Sequence, residues 1–198
     1  MSICALIVAV VLAGSGAMSQ TQSYKHTAPE SFRANAQATS GGGGGTAAAF
    51  NFQVDAYTPD ADRAPLLAAL GTGGSPAFVE ALKKGKVIGY IEAGAGGGRK
   101  VNIRYAREQA TARGGRHIVL VTDAPIHFVG GGALDAKPTA GFDVAVIEFD
   151  VDVVGLGSGS MAAAARVKAG GAAGVQVDDY AQQPIKLVTV TREAAKTK

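Results

Sequence analysis

The chain has 198 residues, with Lys+Arg 19 against Asp+Glu 16 and a net charge of +3 when histidine is neutral. That is one domain's worth of chain, 47% hydrophobic and 18% charged, enough to bury a core. So small a charge excess gives no electrostatic footprint for nucleic acid, and the lack of Trp with only 6% aromatics argues against a stacking platform for sugars or single strands.

Ile3 to Leu12 is an apolar run, followed by Ala13-Gly14-Ser15-Gly16-Ala17 with small residues at Ser15 and Ala17. This is the pattern of a secretory signal peptide over residues 1–17, cut after Ala17. The run is shorter than the roughly 20 apolar residues that span a bilayer, so no integral membrane segment is expected in the mature chain. No Lys or Arg precedes it, which leaves the α-amino group to supply the usual positive charge, or the start elsewhere. The alternative is a buried N-terminal strand. Export places the mature protein in the periplasm or outside the cell. The one cysteine, Cys4, lies inside the signal, so the mature chain has no disulfide, thiol nucleophile or zinc-thiolate site. Residues 18–47 are polar and glycine-rich and read as a disordered linker. Gly41 to Gly45 are not followed by Lys-Ser/Thr and not preceded by a strand, which excludes a P-loop.

A single β-rich domain is expected over residues 48–193. Phe50–Tyr57 alternates with period two and predicts a half-buried strand. Thr58-Pro59-Asp60 opens a helix with Leu66, Leu67 and Leu70 on its apolar face, ended by Gly71. Ser75-Pro76 repeats the start signal for a helix carrying Phe78, Val79 and Leu82, with Lys83 and Lys84 at its negative end. With Gly71-Thr72-Gly73-Gly74 as connector, the pair predicts an αα-hairpin.

After Gly85 the signals are nearly all strand. Residues 86–92 are strand-like, and 101–107 alternate with Val101, Ile103 and Tyr105 on one face. Arg113-Gly114-Gly115-Arg116 reads as a hairpin turn. Residues 117–122 are apolar on both faces, as in a central strand. Residues 142–154 form the longest strand, and its phase switch at Val146-Ile147 predicts a bulge or strong bend. Residues 155–159 turn the chain. Met161, Ala163, Ala165 and Val167 alternate, although the alanine run also permits a helix. Gly170-Gly171 turns again, 175–177 and 185–191 complete the set, and 194–198 is a frayed tail. The fold class is mainly β (α+β), an antiparallel barrel or sandwich of about seven or eight strands.

Chemistry is sparse. His117 and His127 flank Asp123, a possible base-and-orienter set for a hydrolase, but strand rise sets His117 and Asp123 about 20 Å apart. Glu148, Asp150 and Asp152 share a strand face; the residues suit a solvated face, paired with Arg104, Arg107, Arg166 or Lys168, better than a calcium loop. Gly155-Leu156-Gly157-Ser158-Gly159 lacks both the βαβ unit of a dinucleotide fingerprint and the elbow of a serine hydrolase. Arg104-Tyr105-Ala106-Arg107 with Arg113 and Arg116 is the densest basic cluster. Arg104, Tyr105, Arg107 and Arg116 are therefore the expected ligand-binding residues, with no catalytic or metal-binding residue and no cofactor.

Residues 103–107, the stretch Gly114 to Phe128, and Asp179 to Leu187 resemble a group of uncharacterised exported bacterial proteins that share a signal peptide, a strand–helix–helix opening and a β-rich remainder. The resemblance spans residues 50–192 and departs at Ala124, where that group more often carries Arg. It implies export but transfers no activity. The expectation is a non-catalytic binding module for a small apolar ligand in a barrel or inter-sheet cavity, or for an envelope protein at the helix–sheet groove. The alternatives are a hydrolase using His117, Asp123 and His127, and a structural cell-envelope component.

Overall fold

The computed structural model describes residues 28–38, 46–93, 100–126 and 139–193. Among the described residues, period-two patterning sets the pleat of nine strands, with one helix packed outside them: β1 (Glu30–Ala38), β2 (Thr46–Val54), α1 (Asp60–Lys84), β3 (Gly89–Ala93), β4 (Lys100–Ala110), β5 (Arg116–Thr122), β6 (Val144–Val151), β7 (Leu156–Ala169), β8 (Val175–Tyr180) and β9 (Ile185–Glu193). Each strand from β1 to β7 pairs antiparallel with the next. β7 then pairs with β9, and β9 returns to β1. The result is a closed eight-stranded antiparallel barrel, β1-β2-β3-β4-β5-β6-β7-β9, and not a sandwich. Closure leaves no open edge on the ring. β8 stands outside it, paired with Ala165–Ala169 of β7 beyond the stretch that β9 occupies.

The interior is filled by aromatic and aliphatic side chains. Phe32 of β1 meets Phe149 of β6 across the barrel at 5.0 Å, edge to face, and Phe52 stacks on Phe149 at 5.8 Å. Phe32, Phe50 and Phe52 have no exposed surface, and each contributes about 1.5–3 kcal/mol on burial. A second core lies outside the wall. Leu66, Leu70, Phe78, Val79 and Leu82 of α1 cover Tyr105, Val119, Val121, Val144, Val146, Ala162, Ala165 and Val167. That is why β5 is apolar on both faces: Ile118 and Leu120 point into the barrel, Val119 and Val121 toward the helix.

Several sequence expectations need correction. Residues 18–47 are not a linker throughout, because Glu30–Ala38 forms β1 and β2 already begins at Thr46. β1 escapes notice because two of its three inward residues, Phe32, Ala34 and Ala36, are alanines. The signal segment, residues 18–27 and 39–45, the tail 194–198 and His127 lie outside the described residues. The αα-hairpin is one helical element. Gly71, Thr72 and Gly73 stay helical, the Thr72 hydroxyl donating to the Ala68 carbonyl at 3.0 Å, and only Gly74 (φ 66°, ψ −159°) leaves the helical region. Gly157, Ser158 and Gly159 are not turn residues but the start of β7. Residues 161–168 are strand, and the pairing of β6 with β7 is irregular at Val144/Val146, beside the expected phase switch.

Candidate functional site

The four residues expected to bind a ligand are not brought to one place. A register shift between Ile103 and Tyr105 turns Tyr105 out of the barrel, so it does not share the face of Val101 and Ile103. Tyr105 is fully buried under α1 against Phe78, its hydroxyl donates to the Ala173 carbonyl, and burial raises its phenol above the ordinary range. Arg104 binds Asp123 at 2.6 Å and the Gly85 carbonyl at 2.5 Å. Arg107 bonds to the Thr58 carbonyl at 2.9 Å and the Asp60 carboxylate at 3.0 Å. Arg116 points into the barrel and is buried.

Arg116 is the centre of a charged cluster that caps the phenylalanine core at one barrel end, its guanidinium 5.9 Å from the Phe32 ring. It holds Glu30 with two bonds, at 2.7 and 2.8 Å, and Glu108 at 2.7 Å. The Tyr57 hydroxyl donates to Glu30 at 2.5 Å, and Arg192 adds a contact at 2.9 Å. Burial alone would raise the Glu30 carboxyl. Hydrogen bonds from Arg116 and Tyr57, and the charges of Arg116 and Arg192, outweigh it and hold Glu30 below the usual range. Burial and the same carboxylate push the Tyr57 phenol far up. Burial would also lower Arg116, yet Glu30 and Glu108 raise it. The cluster is a paired, desolvated latch between β1, β4, β5 and β9.

His117 and Asp123 of the expected hydrolase set are not brought together. His117 Nδ1 contacts Asp150 at 2.7 Å on the outer wall, at the start of β5. Asp123, past the other end of β5, accepts from Asn102 at 3.1 Å and from Arg104. The acidic face also differs from expectation. Asp150 meets His117, Asp152 caps the β6–β7 turn through Val154 N and Leu156 N, and Arg166 and Lys168 pair instead with Asp179 and Asp178. Among the described residues no group of His, Cys, Asp and Glu could hold a metal ion.

A polar hollow that no motif pointed to lies on the outer face of β1, β2 and β3. Phe32, Phe52 and Ile91 point inward, so their neighbours point out and line up across the strands. Ser31 stands opposite Gln53 and Gln53 opposite Tyr90; Arg33 stands opposite Asn51 and Asn51 opposite Glu92. With Asp55 and Glu193 these rows line a groove of about 660 Å³. Arg33 reaches Glu193 at 3.4 Å, Gln53 donates to Asp55 at 3.0 Å, and Lys100 sits 4.2 Å from the Tyr90 ring centre. Asp55, Glu92 and Glu193 stand against Arg33 in the exposed lining, Glu30 being paired inside the latch, and Lys100 opposite Glu92 leaves one excess negative charge at the groove. The lining contains neither His nor Cys. A shallower recess of about 470 Å³ lies between turns 111–115 and 152–155.

The polar parity Ser31, Arg33, Asn35, Gln37 was available in the sequence as the signal of an outward face, but only to a reader who took 30–38 as strand. Comparison with known proteins leaves the site to be read from its own geometry: no protein family, no curated protein and no solved structure matches this chain.

Proposed function

We propose that this chain is an exported, non-catalytic binding module that seats an extended, cationic stretch of a protein partner in the polar groove over β1–β3. The groove carries the reading. Two cross-strand rows of amide, hydroxyl and charged groups line a hollow whose volume lies within the roughly 300–1,000 Å³ typical of binding sites, and its exposed charge is negative. Such rows offer alternating donors and acceptors to a polypeptide backbone, and carboxylates to its lysines.

The other seats expected from the sequence are occupied. Phenylalanines fill the barrel where an apolar ligand would go, and the apolar face of α1 is packed against the outer wall where a partner would enter a helix–sheet groove. The export part of the reading rests on the N-terminal apolar run and its small-residue flank. No helix among the described residues is long and apolar enough to cross a membrane.

Titration of tetralysine into the isotopically labelled full chain, followed by amide chemical shifts, tests the assignment. Shifts confined to β1, β2 and β3 are expected, with the Asp55→Asn/Glu92→Gln double variant binding roughly 3–10-fold more weakly, the range for two exposed ion pairs. Absence of shifts, or shifts centred on α1, would reject the groove as the seat.

A further inference from the structure

Strand direction sorts every connection to one end of the barrel or the other. β1 begins, and β2, β4, β6 and β9 finish, at the end that also holds segment 85–88 and turns 111–115 and 152–155. Six large hydrophobic residues are exposed among those described: Val87, Val153, Val154, Leu156, Tyr180 and Val188. Four of the six lie at this end, and Val153 and Val154, 72% and 73% exposed, form the tip of turn 152–155.

This tip is held out by a built turn. Asp152 Oδ1 accepts from Val154 N and Leu156 N, both at 2.9 Å, and Gly155 N donates to the Asp152 carbonyl at 3.1 Å. Gly155 adopts φ 88°, and its carbonyl accepts from Arg192 N at 2.7 Å, tying the turn to β9. Two adjacent valines are thus fixed in water by a satisfied hydrogen-bond frame, an arrangement that wins nothing for folding.

We propose that this barrel end lies against a lipid bilayer, with Val153, Val154 and Leu156 dipping below the headgroups. Aliphatic side chains on a projecting turn suit a fluid surface, whereas a folded partner would need a matching hollow. The chain before Ala28 leaves from this same end, because β1 starts there. Its apolar run, Ile3 to Leu12, is joined to Ala28 by a stretch that reaches roughly 55 Å at full extension. While that run stays attached and engages a bilayer, this end of the barrel is the one held nearest to it. The residues at this end carry both signs, Lys86 and Arg113 against Asp55, Asp150 and the turn-capping Asp152, so apolar burial rather than charge drives the contact. The groove opens on the flank of β1–β3, and this inference does not depend on it.

The chain contains no Trp, so a single introduced one reports its own surroundings. Val154→Trp and Val188→Trp, both at exposed positions, are made in the full chain and mixed with phosphatidylcholine vesicles, after circular dichroism has shown both folded. The Trp at 154 is expected to shift its emission to the blue and to lose acrylamide quenching by about threefold, as insertion at the headgroup boundary implies. The Trp at 188 should do neither, and added salt should not reverse the effect. Equal responses at the two positions, or none at 154, would overturn the proposal. The second outcome would also be seen if the N-terminal run alone held the membrane.

Discussion

Glu30 and Arg116 show how a side chain can be conspicuous in the sequence and its job invisible. Arg116 stands out in the basic cluster around the β4–β5 turn, but its bidentate partner lies 86 positions earlier in a stretch that reads as spacer. Spacing cannot reveal a pair formed across a barrel mouth. Breaking a buried, hydrogen-bonded pair by removing one charge costs about 3–5 kcal/mol, since the other charge stays in a place built for two. The pH dependence has a definite sign. Glu30 titrates lower in the folded chain than in the unfolded one, so the unfolded chain takes up the extra proton. The stability this pairing contributes is complete above about pH 5 and falls as acid passes through the folded value. Urea midpoints measured from neutral to acid pH should therefore drop in the wild type. Glu30→Gln should lower stability by about 3 kcal/mol at neutral pH and flatten the acid slope. A Glu30→Gln protein as stable as the wild type at pH 7 would show that the latch contributes nothing. The same scale explains Tyr105: an irregularity one residue long in β4 moved it to the opposite face, and no alternation count predicts a bulge at Arg104.

Glycine misled the reading of the elements in both directions. In α1, Gly71-Thr72-Gly73-Gly74 carries every local mark of a break, yet only Gly74 departs from the helix. Leu66 and Leu70 before it, and Phe78, Val79 and Leu82 after it, pack on one outer wall, and that burial outweighs poor propensity. In β7, Gly157 and Gly159 look like turn residues, but they permit two backbones to approach. A Cβ on Gly159 would stand 2.1 Å from the Glu148 carbonyl oxygen, whereas one on Gly71 would meet nothing within 4 Å. Two substitutions separate these roles. Gly71→Ala should stabilise the protein by about 0.5–1 kcal/mol, because the alanine loses less backbone freedom on folding. Gly159→Val should prevent β6 and β7 from pairing and open the ring, read as loss of a cooperative thermal transition. A cooperative transition retained by Gly159→Val would contradict the close approach.

For the whole molecule, the layered plan was legible in part and the closure was not. The run 117–122, apolar on both faces, reads as a strand covered on two sides, but the helical pair was expected over an opening or an edge, whereas α1 covers the outer wall of β4 to β7. Barrel and sandwich could not be told apart because the deciding pairs, β9 with β1 and β6 with β7, involve a strand hidden in the glycine-rich region and two glycines mistaken for a turn. The groove was lost with the same strand, since it exists only when the outward residues of β1, β2 and β3 stand side by side. The whole account therefore rests on Glu30–Ala38 being bonded along both edges. Amide hydrogen exchange of the full chain, resolved by peptide, measures this directly. Protection of 30–38 should match that of β2 and β9, its two neighbours. Exchange of that peptide at the rate of unstructured chain, while β2 and β9 remain protected, would contradict the closed barrel.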